Sequence, residues 1–341
     1  MRWGEIARAI EPLEDLPLDP ELMAACAEPD RASGRPIRFS TPSFRAYSGS
    51  EIEGCTRNSF PAFSVTGAAC ALDCDHCQAK ILAPMIPAGT PQHFERTVRD
   101  LVALQGLRGF LLSGGSNRRN EIAYEPFLPA VERLMRDFPH LQIAVHTGLL
   151  DRPRARALAA SGIGTVMMDV IGDEATIRDV YHLDRPAADF AATLDALCES
   201  GLAVVPHIVV GLHYGRILGE PAALAMVADR SVAALVLVVV MPHYARPGSF
   251  ATPDAAEVGR VFVAARAAMG GRQVLLGCAR PPGRHKRMVD AYAVMAGLDG
   301  IAFPADGAVE LARALGRPVD QAHACCSIAA DGPGAALRAC A

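Results

Sequence analysis

The feature that most constrains this chain is an alternation. Beyond about residue 60, eight short apolar runs of strand length alternate with longer amphipathic stretches. The runs fall at 63–66, 109–112, 142–147, 165–170, 203–210, 234–241, 273–276 and 300–303. Strands of a parallel sheet are buried on both faces and read as continuous apolar runs, and the stretches between them read as crossover helices. In the stretch 91–105, Phe94, Val98, Leu101 and Val102 share one helical face, and Thr252-Pro253-Asp254 is a start signal for a helix reaching 269. Eight such units predict an α/β protein, a (β/α)8 TIM-type barrel over 59–310. An N-terminal extension, 1–58, is rich in proline and polar residues, and a cysteine-containing tail covers 311–341. With 341 residues, 51% of them apolar, the chain can bury a large core. In such barrels the chemistry lies on the loops after the C-terminal ends of the strands.

Charge narrows the partners. Charged residues are 21% of the chain and the formal net charge is −4, so no basic stripe calls for nucleic acid or anionic lipid. The longest apolar run, 232–241, is far short of the roughly 20 residues that span a bilayer, and the acidic N-terminus lacks a signal-peptide core. A cytoplasmic protein is expected. Ten cysteines in such a chain point to metal or redox chemistry rather than disulfides.

The cysteines form one tight group, Cys70, Cys74 and Cys77, an adjacent pair, Cys325 and Cys326, and the singles Cys26, Cys55, Cys198, Cys278 and Cys340. The tight group follows the first predicted strand directly, with three residues and then two between its sulfurs. A tetrahedral zinc site needs a fourth ligand, for which His76 is at hand. Three thiolates on a cubane leave one iron open to a small molecule.

On this loop the sequence resembles the radical S-adenosylmethionine (SAM) superfamily, whose signature is C-x3-C-x2-C after the first barrel strand. The residue before the last cysteine, usually aromatic in the family, is His76 here, a flat ring that could pack on adenine. The resemblance implies a [4Fe–4S] cluster on Cys70, Cys74 and Cys77, with SAM chelating the open iron and cleaved to a 5′-deoxyadenosyl radical. It further implies that Gly114 and Gly115, after Phe110-Leu111-Leu112-Ser113, meet the methionyl amino group. Asp169 would bond the ribose, Ile208 and Gly211 would touch adenine, and Arg178 or Arg185 would meet the carboxylate. A capping role for Asp169, core packing for Ile208 and solvated positions for the arginines are the alternatives. His146, His207 and His243, in or near strand ends, receive no role.

Cys278 follows the strand 273–276 and so belongs at the barrel mouth, over which the tail with Cys325 and Cys326 could fold. With Cys55 these make four thiolates, enough for a second, auxiliary [4Fe–4S] cluster; small buried thiols are the alternative. The segment Cys278-Ala-Arg280-Pro, with Arg287, Asp290 and Ala-Gly-Leu-Asp-Gly-Ile-Ala-Phe-Pro, resembles the late barrel of biotin synthase-like enzymes. Together with Cys325-Cys326-Ser327, the pattern looks most like the two-subunit, archaeal-type lipoyl synthases; the C-x4-C-x5-C motif of the single-subunit enzymes is absent. This resemblance implies sulfur insertion into an unactivated C–H bond of a protein-bound octanoyl chain, the auxiliary cluster giving the sulfur. It implies as partners an octanoylated lipoyl carrier protein, a second radical SAM subunit and a flavodoxin or ferredoxin reductant. The rivals are a radical SAM enzyme acting on a small molecule and a non-catalytic iron–sulfur or zinc protein.

Overall fold

The computed structural model describes residues 3–27, 32–42, 47–54, 60–323, 325, 327 and 328. Its strands are β1 (Ile37–Ser40), β2 (Ala62–Ser64), β3 (Ile86–Pro87), β4 (Gly109–Ser113), β5 (Gln142–Thr147), β6 (Thr165–Asp169), β7 (Ala203–Val210), β8 (Ala234–Val239), β9 (Gln273–Leu276), β10 (Gly300–Ala302) and β11 (Val319–Ala322). All pair in parallel in one curled barrel-type sheet, ordered β11-β1-β10-β9-β8-β7-β6-β5-β4-β2-β3. The eight predicted strands are all present, and β5, β7 and β9 have the predicted bounds.

Three strands are additional, and their composition explains why. The two-residue β3 carries a proline. β1 and β11 are half polar: Arg38 of β1 donates through Nε and Nη2 to Asp320 Oδ2 of β11, at 2.9 and 2.7 Å. An ion pair therefore stands where an apolar run would have announced a strand. Ile37 and Phe39, on the other face of β1, are buried in the helix-facing core. The flanking segments thus enter the sheet, with β1 lying between β10 and β11.

The period of two along each strand separates two cores. Val204, Ile208 and Val210 of β7 pack outward against the helices. Val205 points inward and joins Ala144, Met167, Ala234, Val236 and Leu275 in the barrel interior. Cys325 and Ile328 of the tail also belong to that interior cluster, and Ser327 is fully buried. After β11 the chain therefore turns back into the barrel.

Helix ends follow local chemistry. Thr90 accepts from His93 N–H to open the helix Pro91–Gln105, and Gly106 closes it at φ +62°, where a Cβ would be strained. Asp254 caps the helix Ala255–Met269 by accepting from Ala256 and Glu257 N–H. Among the described residues, no helix is long and apolar enough to cross a membrane.

Candidate active site

The loop carrying Cys70, Cys74 and Cys77 leaves the C-terminal end of β2 and is backed by the end of β4. Ala71 N–H donates to Ser116 O at 2.8 Å, and Gly115 N–H donates to Thr66 Oγ1 at 2.7 Å. The absence of a side chain at Gly115 is what permits this contact: a Cβ there would strike the Ala69 carbonyl and lie 2.7 Å from Cys70 Cα. Gly114 is similarly hemmed in by Val65 Cγ2, at 2.7 Å. Backbone cannot swing aside like the end of a side chain, so Gly115→Ala is expected to lower stability by about 1–3 kcal/mol, measured by urea unfolding. An unchanged unfolding midpoint would show that the loop yields.

Cys74 is buried, and Cys70 and Cys77 are partly so. The neighbouring Cys74 and Cys77 thiols act on each other: the Cys77 thiol is drawn well below its ordinary value, while Cys77 and burial drive Cys74 upward. The shift at Cys77 favours thiolate, the form that binds metal. His76 stacks on Tyr181, centroids 5.0 Å apart and planes at 19°, and its buried Nδ1 has no hydrogen-bond partner among the described residues. Tyr181 therefore already covers one face of the ring considered above for adenine.

Asp75, between the second and third cysteines, has its side chain 11% exposed and is tied to three other loops. Arg246 Nε–H donates to its Oδ1 at 2.8 Å, and His182 Nε2 lies 3.0 Å from the same oxygen. The Tyr214 hydroxyl lies 3.2 Å from Oδ2 and 2.9 Å from Asp179 O. Burial raises the carboxyl's pKa, but the His182 and Arg246 bonds outweigh it and hold it below the ordinary value.

Beneath the loop, inward-facing polar residues close a layer. Asp169 ends β6 and is the register partner of His207 on β7. Asp169 Oδ1 lies 3.5 Å from His146 Nε2 of β5, and Tyr181 donates to its Oδ2 at 3.3 Å. Burial opposes the charge on Asp169, yet His146, with His207 and His76 behind it, keeps the carboxyl well below the usual carboxylate range. His146 rises despite burial because Asp169 faces it, and the Cys325 thiol adds to that rise. His207 Nδ1 lies 3.1 Å from Val205 O, while burial and His146 bring its pKa down to about 4. A neutral His207 donating from Nδ1 leaves Nε2 as an acceptor.

The sequence matches no protein-family model and no curated protein. In three dimensions the chain is similar to HydG, a maturase of the [FeFe]-hydrogenase, with a TM-score of 0.57 and 14% identity over 83% of this chain and 60% of that one. HydG from Carboxydothermus hydrogenoformans gives 0.52 at 15% identity, over 83% of this chain and 62% of that one. Methylornithine synthase (PylB) gives 0.50 at 13% identity, over 72% of each chain. All are radical SAM enzymes. This chain has their fold. It spans only 60% of the length of the first HydG chain.

Within this fold, the residues anticipated from sequence divide. Gly114, Gly115 and Asp169 lie around the cysteine loop, as the contacts above show. Gly211 closes β7 with its N–H donated to Glu220 Oε1 at 2.6 Å. Ile208 faces the helices, opposite the inward His207, because the strand period places adjacent side chains on opposite faces. Arg178 is 67% exposed and paired with its neighbour Asp179, so the structure does not bring it into the group. Arg185 is paired with Asp189 at 2.6 Å. The arginine that reaches the cysteine loop is Arg246, which the sequence did not single out. Cys278 and Cys325 are described, whereas Cys55 and Cys326 lie outside the described residues. Among the described residues, no three His, Cys, Asp or Glu side chains are set as ligands of a single metal ion.

The donor set suits an iron–sulfur cluster and SAM on three counts. It comprises three cysteines on one loop, one of them readily ionised, and an ionised carboxylate at the foot of that loop. Bare glycine backbone lies alongside at Gly114 and Gly115.

Proposed function

We propose that this chain is a radical SAM enzyme in which Cys70, Cys74 and Cys77 hold a [4Fe–4S] cluster with one iron left for SAM. The observation that carries the reading is a three-cysteine loop on the C-terminal end of β2, in a fold shared with such enzymes. Cluster and SAM would supply one electron and a 5′-deoxyadenosyl radical. The chain's own residues bind and orient. The Asp169 carboxylate is placed to accept from a hydroxyl, His207 Nε2 offers a second acceptor, and the tail residues Cys325 and Ile328 keep water from the lower interior.

The finer reading is sulfur insertion into a protein-bound octanoyl chain, with an auxiliary cluster held by Cys278, Cys325, Cys55 and Cys326. It is supported by the approach of the segment that precedes Cys55 to the segment that precedes Cys325. Glu53 O, two residues before Cys55, accepts from Thr41 Oγ1 at 3.3 Å and from Gln321 Nε2 at 2.7 Å. His323 Nδ1, two residues before Cys325, lies 3.0 Å from the same Thr41 hydroxyl. The partners would be an octanoylated lipoyl carrier, a second radical SAM subunit and a flavodoxin or ferredoxin.

The test is anaerobic reconstitution followed by SAM, reductant and an octanoylated carrier. About eight irons per chain are expected with both clusters and about four with the first alone. 5′-Deoxyadenosine and a carrier heavier by sulfur are the expected products. Deoxyadenosine without carrier modification would leave the radical reading and overturn the octanoyl one.

A further inference from the structure

Left-handed backbone is disfavoured for any residue that carries a Cβ, and it persists only where the surroundings hold it. Seven non-glycine residues among those described have φ between +46° and +58°. Five of them, Asp73, Gln78, Ala79, His182 and Tyr214, lie in the cysteine loop or reach Asp75 from other loops. Strain is therefore concentrated around one carboxylate.

That carboxylate is bonded on every side. Its side chain takes the Arg246 Nε–H, the His182 ring and the Tyr214 hydroxyl. Its backbone N–H donates to Val180 O at 2.9 Å, and its carbonyl accepts from Arg246 N–H at 2.8 Å. The partners come from the loops after β6, β7 and β8, so one residue ties the cysteine loop to three neighbouring loops at the barrel mouth. An ion group of this kind is not needed for stability, since apolar replacements of similar volume often serve as well. Its place between two thiols, with two partners held in unfavourable backbone, calls for another explanation.

We infer that Asp75 is a positioning residue: it fixes the segment from Cys74 to Cys77 in the conformation that receives a metal cluster, and His182, Tyr214 and Arg246 hold it there. The inference rests on reading those cysteines as ligands. It does not depend on the reaction. Groups behind a metal's direct ligands set ligand orientation, and their replacement typically weakens metal binding about 10–100-fold.

The experiment uses the full chain in two states, stripped of metal and reconstituted with iron and sulfide. In the stripped chain, alkylation of Cys74 by iodoacetamide is followed by peptide mass; in the loaded chain, iron loss to a ferrous chelator is followed by absorbance. Asp75→Asn is expected to speed iron loss by about 10–100-fold and to speed alkylation as well, while the melting curve stays close to that of the parent chain. Tyr214→Phe should shift both rates in the same direction by less. Arg246→Gln added to Asp75→Asn should change little more, because the ion pair it removes is already lost.

Unchanged rates in an Asp75→Asn chain that melts like the parent would overturn the inference. If that variant does not fold, Tyr214→Phe decides, and unchanged rates there overturn it equally. A parent chain that takes up no iron would end the radical reading, and the alkylation contrast would still decide for or against the clamp.

Discussion

Cys74→Ala is expected to abolish SAM cleavage and to remove about four irons per chain, leaving any iron held elsewhere in place. Cys74 is the middle of the three thiols and 5% exposed, and Cys77 and burial together raise its pKa. Without it the loop offers two sulfurs, Cys70 beside the Ser116 carbonyl and Cys77 beside His76. Two thiolates cannot hold a cubane that needs three. Cys325→Ala should separate from this sharply. Cys325 lies in the barrel interior on the tail, so its loss should spare deoxyadenosine formation and remove only iron and product that depend on a second cluster. Iron analysis and chromatography of the nucleoside products distinguish the two variants. A parent chain carrying one zinc, lost on Cys74→Ala, would replace the radical reading with a zinc site.

The sheet was legible because its central strands are buried on both faces. Ala-Leu-Val-Leu-Val-Val in β8 is apolar at every position and buried along nearly its whole length, as a strand covered on both faces requires. The cysteine loop was legible because metal chemistry fixes its spacing locally. The surrounding site was not. Asp75 meets His182, Tyr214 and Arg246 across 107, 139 and 171 residues. Such contacts depend on strand order and loop path, which no local pattern encodes.

Other departures have simple physical causes. Ile208, expected to touch adenine or to pack in the core, lies in the helix-facing core, since on a strand one residue reverses the face. The usable signal was present: His207 is a polar residue in an apolar strand, and its inward period matches that of Asp169. Arg178, one of the two arginines considered for the SAM carboxylate, is held in solvent by its immediate neighbour Asp179. β1 and β11 escaped notice because Arg38 and Asp320 satisfy each other within the ladder.

Asp290→Ala is expected to destabilise the chain by about 3–5 kcal/mol at neutral pH, because it leaves the Arg280 guanidinium buried without a counter-charge. Both side chains have no exposure. Arg280 donates from Nε to Asp290 Oδ1 at 2.5 Å and from Nη2 to Oδ2 at 2.9 Å. It also donates to the Gly277, Ala302 and Phe303 carbonyls, at 2.7, 2.8 and 2.9 Å, while Asp290 Oδ2 accepts from Ala305 N–H at 2.7 Å. The pair thus staples the loop after β9 to the loop after β10, two residues beyond Cys278. A double replacement, Arg280→Met with Asp290→Leu, should recover much of the loss, since the penalty lies in the unpaired charge rather than in the missing bond. The pH dependence has a definite sign. Burial raises the Asp290 carboxyl's pKa, but Arg280 and Lys286 outweigh burial and hold it below 3.8 in the folded chain. A depressed folded value contributes stability that is complete above the unfolded value and is lost as pH falls through the folded one. The gap between parent and Asp290→Asn in urea midpoint should therefore be full at pH 7 and narrow only below about pH 4. A gap that closes already near neutrality would mean that some other group, and not this carboxylate, carries the effect.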